Sequence, residues 1–525
     1  MSRWSASGEC VRPIASAFPI MITTVKPGDR SASLPNGDQR RLFRWSASIL
    51  NVKEASVPGV NESLQTRTPA QKGNLVVHTQ PSRRRRRLTT LGAALTIGLA
   101  SIVAPPTGAV AAAEPSALPS GNTAYRTLAD YENDMATLAA DYPTLVKPLE
   151  LPYKTTSGRT VRGIEISRNV QLNDGKPVFV NVAMHHGNEW PSGELTMEFA
   201  IDLVKNAKDP YVANLLDRAR LVVVPVVNVD GFVRNRRQTD TNTDMNRNYG
   251  MGWLPISTGG VAPWSEPETK NMEWLLSTRQ ATVFNTQHTC IRVVLYPPLQ
   301  LAAGPAQDTE RLHRLASAVA AQYGPTYNAL PSAEDYETTG EAIDWAYYAT
   351  RGLSITTETC PNPGVARNYQ TQVLDTYATH RKAMFEAVET TADQSEHAII
   401  EGKAPKDAVL RITKSFDMYT SPYAQPGGGV RPTSFTTTLT SELDIVNPNG
   451  KFQWAVNPSY RPVPAYQADG VRGNQTGFYT EPWILTCERP DGTVLQTTPV
   501  NVDLGKRVEV DFKECKRKFN GNGPK

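Results

Sequence analysis

Two hydrophobic patterns alternate through the middle of the chain. Four short runs rich in β-branched residues are typical of central strands buried on both faces; they lie at 178–184, 221–228, 281–287 and 353–358. Elsewhere apolar residues recur at helical spacing; these segments lie at 128–142, 195–204, 266–279, 309–323, 341–350 and 373–388. The alternation predicts an α/β domain over residues 120–400.

A different pattern begins near residue 405. Thr-rich segments in which apolar and polar residues alternate are separated there by Gly, Pro and Asn, which predicts strands joined by turns; they lie at 433–440, 452–456, 494–502 and 507–512. We therefore expect a smaller all-β, sandwich-like domain at 405–516.

The longest apolar run, residues 88–103, follows five consecutive arginines and precedes Ala111-Ala112-Ala113. A positively charged start, a short apolar stretch and an A-x-A site are the three parts of a secretory signal. We expect residues 83–113 to be this signal and the protein to be secreted. Pro105 and Pro106 end the run early and argue against a membrane-anchoring helix.

The net charge of +4 belongs to the N-terminal part of the chain. Residues 1–113 hold 15 Lys and Arg against 5 Asp and Glu, and the remainder holds 40 against 46. Because that remainder has no basic stripe, we expect no nucleic-acid partner and no stable membrane anchor. Residues 1–82 lack clear periodicity and are expected to be a non-structured or wrongly assigned N-terminal extension.

Export favours disulfides. Cys487 and Cys515 lie in the predicted β domain, and we expect them to pair. Cys290 and Cys360 closely follow the ends of predicted central strands and form a second candidate pair.

Three of the seven histidines, His185, His186 and His288, lie just past the ends of predicted central strands. Ligands of open α/β sheets bind at that edge. His186 and Glu189 are separated by two residues, a spacing that lets an imidazole and a carboxylate reach one metal ion, and His288 would supply the third ligand. Two histidines, one glutamate and an open fourth position favour a catalytic site with one Zn²⁺ per chain. We expect His185 to be structural.

These residues belong to a set that resembles the zinc carboxypeptidases of the carboxypeptidase A/B family. The resemblance covers about residues 122–395 and rests on His186-x-x-Glu189-Trp190, Asp244-Met245-Asn246-Arg247-Asn248, His288 ahead of Leu295-Tyr296-Pro297, Tyr336, Ile343-Asp344-Trp345 and Glu358. It implies a mixed-sheet catalytic domain of the bacterial secreted type, without an inhibitory pro-domain. The implied reaction is zinc-dependent hydrolysis of the C-terminal peptide bond of peptides.

The resemblance also implies roles for single residues. Glu358 would be the general base that then protonates the leaving amine. Asn246 and Arg247 would bind the C-terminal carboxylate of the substrate, and Tyr336 would close over it. Asp244 would orient a zinc-binding imidazole from outside the ligand set.

Two further roles are implied with less direct matches. The oxyanion of the transition state needs a positive partner, and the segment Arg234-Asn235-Arg236-Arg237 permits more than one alignment with the family. We choose Arg234, with Arg236 second. Ile343 stands where the family has the base of its side-chain pocket, which implies apolar or aromatic C-terminal residues.

Two other functions stay open. One is a zinc amide hydrolase or cell-wall peptide hydrolase that uses the same chemistry. The other is an inactive binding protein whose β domain binds carbohydrate, protein or another extracellular or cell-wall ligand. The joint presence of metal ligands, base and carboxylate clamp argues against inactivity.

Overall fold

The computed structural model describes residues 118–465 and 477–521, and all of them belong to one compact unit, Pro105–Lys525. The predicted signal at 83–113 and the extension at 1–82 lie outside the described residues. No helix in the described ranges is long and apolar enough to cross a membrane.

An eight-stranded mixed sheet forms the centre of the α/β part, which confirms the predicted fold class. Its strands are β1 (Val146–Glu150), β2 (Arg162–Ile166), β3 (Val178–Ala183), β4 (Arg220–Val224), β5 (Ala281–His288), β6 (Val293–Tyr296), β7 (Asn328–Pro331) and β8 (Leu353–Glu358). They follow the order β1-β2-β4-β3-β5-β8-β6-β7.

The four central strands, β4, β3, β5 and β8, run parallel to one another. Their side chains are buried on both faces, with partial exposure only at the last residue of β8. This burial agrees with the largely apolar sequences of these strands, in which polar residues such as Asn181, Asn285 and Thr357 are also buried. Since parallel strands end at the same edge, the loops that follow β3, β5 and β8 meet there.

Helices pack against the sheet and against one another. They are α1 (Leu128–Asp141), α2 (Trp190–Lys205), α3 (Pro210–Arg218), α4 (Val229–Val233), α5 (Pro267–Arg279), α6 (Thr309–Tyr323), α7 (Ser332–Asp335), α8 (Ala342–Thr350) and α9 (Tyr377–Ala392). Helices α2 and α9 contact β3 and β5, and α8 contacts β5 and β8. Helix α2 begins five residues before the predicted start because Pro191 suits a first helical turn.

The C-terminal region consists of small sheets and one terminal helix, which confirms the predicted all-β character. Its elements are β9 (Ala398–Lys403), β10 (Val409–Tyr419), β11 (Tyr423–Ala424), β12 (Val430–Arg431), β13 (Ser434–Asp444), β14 (Lys451–Val456), β15 (Tyr460–Pro462), β16 (Phe478–Thr480), β17 (Trp483–Glu488), β18 (Val494–Val500), β19 (Arg507–Asp511) and α10 (Lys513–Phe519). The two larger sheets have the orders β13-β10-β17-β18 and β14-β9-β19. The predicted disulfide between Cys487 and Cys515 joins β17 to α10.

The C-terminal sheets pack closely on the α/β part. The backbone N–H of Ala455 donates to the carbonyl of Gly175 at 2.8 Å, and the ring of Phe435 lies 6.1 Å from that of Trp264. One continuous hydrophobic core includes buried residues of both regions. The domain limits at 400 and 405 therefore stay predictions, and the C-terminal sheets support the α/β part directly.

Candidate metal centre and active site

Three donor groups converge at the carboxyl edge of the central strands. The Nδ1 atoms of His186 and His288 are 3.1 Å apart, and the carboxylate of Glu189 lies 2.7 Å from the first and 3.1 Å from the second. All three ligand atoms lie within 4.8 Å of one another and are buried. Ligands about 2.0–2.2 Å from a tetrahedral zinc lie about 3.3 Å apart, so this donor set fits such an ion.

Local backbone geometry explains how the first two ligands come together. The chain leaves β3, turns through Gly187 and enters α2 directly after Glu189. A Cβ atom on Gly187 would lie 2.2 Å from the backbone of Gly231 and Phe232, so only glycine permits this close approach. The short turn therefore places an imidazole and a carboxylate three residues apart on the same ion site.

In both candidate histidine ligands, the Nε2 atom, which lies opposite the Nδ1 atom facing the ion site, has a hydrogen-bond partner. The Nε2 atom of His186 lies 3.1 Å from the carboxylate of Asp244, and that of His288 lies 3.1 Å from the hydroxyl of Thr286. Such partners fix which nitrogen faces a metal. His185 is buried between Tyr249 and Thr286, which matches the structural role expected for it.

The ligands influence one another's ionisation. Burial disfavours a charged imidazole, but the carboxylates of Glu189 and Asp244 raise the pKa of His186 to about 9. Burial outweighs the attraction of Glu189 at His288 and lowers its pKa. Burial would raise the pKa of Glu189, yet the two histidines hold it well below its usual range. At neutral pH, His186 is therefore the ligand that carries a proton before metal binds.

This ionisation predicts a pH-dependent metal affinity. A metal binds only the neutral form of His186, so zinc binding at pH 7 should release about one proton. The zinc association constant should rise about tenfold per pH unit up to pH 9, the pKa of His186, and then level off. Titration calorimetry in buffers of different ionisation enthalpy measures the released protons. A proton release near zero at pH 7 would contradict the prediction.

Glu358 ends β8 and lies beside the metal ligands. It is the backbone partner of His288 across the β5–β8 pair. Burial, followed by the negative charge of Glu189, raises the pKa of Glu358 to about 8. Its Oε2 atom is inaccessible and has no hydrogen-bond partner among the described residues. With a pKa raised to about 8, this carboxyl group could exchange a proton near neutral pH.

Arg247, Asn246 and Tyr336, the residues predicted to bind a C-terminal carboxylate, lie close together in the structure. The guanidinium of Arg247 donates to the carboxylate of Glu341 at 3.0 Å and to the hydroxyl of Tyr336 at 3.0 Å. Asn246 is buried, and its side-chain oxygen accepts from the backbone N–H of Ala342 at 3.0 Å. Tyr336 is 55% exposed, so its side chain borders solvent on the outer side of Arg247.

The two arginines predicted to bind the oxyanion, Arg234 and Arg236, have different partners in the structure. The guanidinium of Arg234 pairs with Asp240 at 2.9 Å, and Arg236 donates to the side chain of Asn242. These partners lie outside the group of His186, Glu189 and His288. A third arginine, Arg237, lies 2.9 Å from the carboxylate of Asp244.

Arg237 was not selected from the sequence, although it belongs to the same basic segment. Its guanidinium also lies 3.6 Å from the carboxylate of Glu189, and its charge lowers the pKa of Glu358 against the effect of burial. Asn235 has a left-handed backbone, φ 52°, so the chain turns within the segment. Asn is common at such turn positions. Asn235 is therefore the feature of the sequence that indicates different directions for the side chains of Arg234, Arg236 and Arg237.

Ile343 is a fully buried, uncharged residue in the first turn of α8. The neighbouring Asp344 is also buried, and burial raises its pKa well above its usual range. Burial therefore disfavours the charged form of the one carboxylate beside Ile343.

An α/β sheet with two histidines and a glutamate converging at the carboxyl edge of its parallel strands defines a metal-dependent hydrolase. Residues 131–392 match the family model described as Peptidase_M14, zinc carboxypeptidase. This part of the chain therefore belongs to the zinc carboxypeptidase family, whose members are hydrolases that use zinc.

Several relatives resemble the same part of the chain. Mast cell carboxypeptidase A of Rattus norvegicus is 29% identical over 202 residues, which is 33% of this chain and 49% of the relative. Carboxypeptidase B of Homo sapiens is 27% identical over 224 residues, 37% of this chain and 53% of the relative. The chain spans about half the length of the curated relatives it matches. The solved structure of carboxypeptidase A from Helicoverpa armigera has 20% identity and a TM-score of 0.46, covering 53% of this chain and 78% of that one.

Proposed function

We propose that the protein is a secreted zinc metallocarboxypeptidase that hydrolyses the C-terminal peptide bond of peptides. One Zn²⁺ would be held by His186, Glu189 and His288. The observation that carries the proposal is the position of Asp244, whose Oδ1 atom lies 3.1 Å from His186 Nε2 and accepts from the backbone of Asn246 at 3.0 Å. One carboxylate thereby holds a metal ligand and the turn that bears the clamp.

Each chemical requirement of the reaction has a residue in place. A bound Zn²⁺ supplies Lewis acidity to a water molecule and to the substrate carbonyl. Glu358 would accept a proton from the attacking water and deliver it to the leaving amine. Arg237, in place of Arg234 or Arg236, would donate hydrogen bonds to the oxygen that becomes negative. Arg247 would bind the terminal carboxylate, with Tyr336 closing over it.

The assignment of Arg237 predicts a contrast between two alanine variants. Arg237→Ala should lower kcat about 10²–10³-fold at saturating zinc, because a donor to the oxyanion is lost. Arg234→Ala removes a half-exposed guanidinium that pairs with Asp240, outside the group of candidate metal ligands, and should change kcat less than about threefold. Steady-state kinetics on one peptide with a free C-terminus compares the two. Equal losses in both variants would remove the reason to prefer Arg237.

The clamp predicts a strict need for a free C-terminus. Arg247→Lys keeps the charge but loses the two-pronged contact, so kcat/KM on a free-acid peptide should fall about 10–100-fold. The parent enzyme should leave the matching C-terminal amide essentially uncleaved. Chromatographic detection of the released residue measures both. Equal cleavage of acid and amide by the parent would favour a zinc amide hydrolase instead.

A preference for apolar or aromatic C-terminal residues is a further part of the proposal. The buried, apolar Ile343 supports it, because an uncharged side chain would not attract a basic one. Release rates from peptides that differ only in a final Phe, Leu, Lys or Arg would rank the preference.

Secretion is the last part of the proposal. The four cysteines of the described residues form two disulfides, Cys290–Cys360 and Cys487–Cys515. Disulfides persist in oxidising compartments outside the cytosol, which agrees with the signal predicted at 83–113. Extracellular peptide or protein C-termini are the expected substrates, and an extracellular or cell-wall ligand of the C-terminal sheets stays a prediction.

A further inference from the structure

The path between β5 and β6 passes directly over Glu358. These strands are consecutive in the chain, yet β8 lies between them in the sheet. Glu358 pairs with His288 of β5 on one side and with Val293 of β6 on the other. Residues 289–292, which we call the crossover, therefore connect β5 to β6 across the end of β8 in only four residues.

The backbone of the crossover contacts both active-site carboxylates. The N–H of Thr289 donates to Oε2 of the ligand Glu189 at 3.1 Å. The backbone N–H of Ile291 lies near the carboxylate of Glu358 and lowers its pKa against the effect of burial. These donors belong to the main chain, so their positions depend on the path of the crossover rather than on the identity of its side chains.

Cys290 lies between these two donors and is bonded to Cys360. Cys360 is fully buried two residues after Glu358, and its backbone N–H donates to the hydroxyl of Tyr327 at 2.9 Å. The backbone N–H of Thr359 donates to the carbonyl of His288 at 2.8 Å. The disulfide thus attaches the middle of the crossover to a fixed point at the end of β8.

We propose that the Cys290–Cys360 disulfide is a positioning crosslink of the active site. It fixes the crossover so that the backbone of Thr289 orients Glu189, the proposed metal ligand, and so that the crossover stays in place over Glu358, the proposed base at the end of β8. The role of Glu358 rests on the proposed function, whereas the effect on metal binding does not. The second disulfide, Cys487–Cys515, joins β17 to α10 and serves as a matched control.

The test compares two double variants of the full chain, Cys290→Ala/Cys360→Ala and Cys487→Ala/Cys515→Ala. Alanine avoids free thiols, which would bind zinc themselves. The first variant should lose about 10–100-fold in zinc affinity, the cost of removing a partner that orients a ligand. Its kcat at saturating zinc should also fall while KM stays within about threefold, because positioning acts on the reacting groups. The control should keep the parent zinc affinity and kcat even if its melting temperature falls.

The two possible failures are distinguishable. A parent protein without peptidase activity, whose zinc affinity still drops on loss of Cys290–Cys360, would refute the proposed function and support the crosslink. Unchanged zinc affinity and kcat, with only a lower melting temperature, would overturn the crosslink. If the first variant does not fold, the parent protein is reduced, alkylated and separated from the reagents before its zinc affinity is measured. The same loss of about 10–100-fold is expected, and an unchanged zinc affinity would again overturn the crosslink.

Discussion

Replacing Glu358 by glutamine is expected to lower kcat about 10²–10⁴-fold, the range that a general acid–base residue supplies. The amide of glutamine is similar in shape but cannot accept and return the proton. Because Glu358 is not among the three converging donors, zinc affinity should stay within about threefold of the parent. Steady-state kinetics and a zinc-competition titration on the same preparation measure both quantities.

A matched control is Glu268→Gln. Glu268 is another buried glutamate, and both its carboxylate oxygens lack hydrogen-bond partners among the described residues. It lies in α5, outside the proposed machinery, so its replacement should leave kcat close to that of the parent. A Glu358→Gln enzyme that retains parent kcat would remove Glu358 from the mechanism.

Replacing the third ligand, His288→Ala, is expected to abolish stable zinc binding and, with it, activity. Loss of a hydrogen-bond partner to a ligand costs about 10–100-fold in metal affinity, and loss of the ligand itself should cost more. The remaining His186 and Glu189 cannot complete a site of three protein ligands. Metal analysis after gel filtration should find far less than one zinc per chain.

The control for this variant is His380→Gln. His380 is also a buried histidine, but it contacts Tyr323 in the packing between α9 and α6. Its replacement should leave the zinc content at one per chain. Zinc retention by His288→Ala at the parent affinity would mean that the metal is held elsewhere.

The metal ligands were accessible from the sequence because two local signals coincide. The runs that became β3, β5 and β8 are short and largely apolar. His186 follows three residues after the end of β3, and His288 and Glu358 are the last residues of β5 and β8. Parallel strands share a carboxyl edge, so residues far apart in the chain could be expected to meet there. The clamp residues Arg247 and Tyr336 carry no such local signal and were expected only through the family resemblance.

Other features depend on pairings that local patterns do not encode. The position of β8 between β5 and β6 is set by long-range strand pairing, so the crossover and its contacts with Glu189 and Glu358 could not be inferred from residues 289–292. Arg237 contacts Glu189 and Asp244, and side-chain charge alone does not distinguish it from the other arginines of the segment. The packing of the C-terminal sheets on the α/β part likewise appears only in three dimensions.

The most direct test of the central claim measures release of the last residue from peptides ending in Phe, Leu, Lys and Arg. The purified full chain is assayed as prepared, after removal of metal by a chelator, and after zinc is restored. The account predicts release of Phe or Leu that is lost on chelation and recovered with one zinc per chain. No release from any of the four peptides, with one zinc bound per chain, would contradict it.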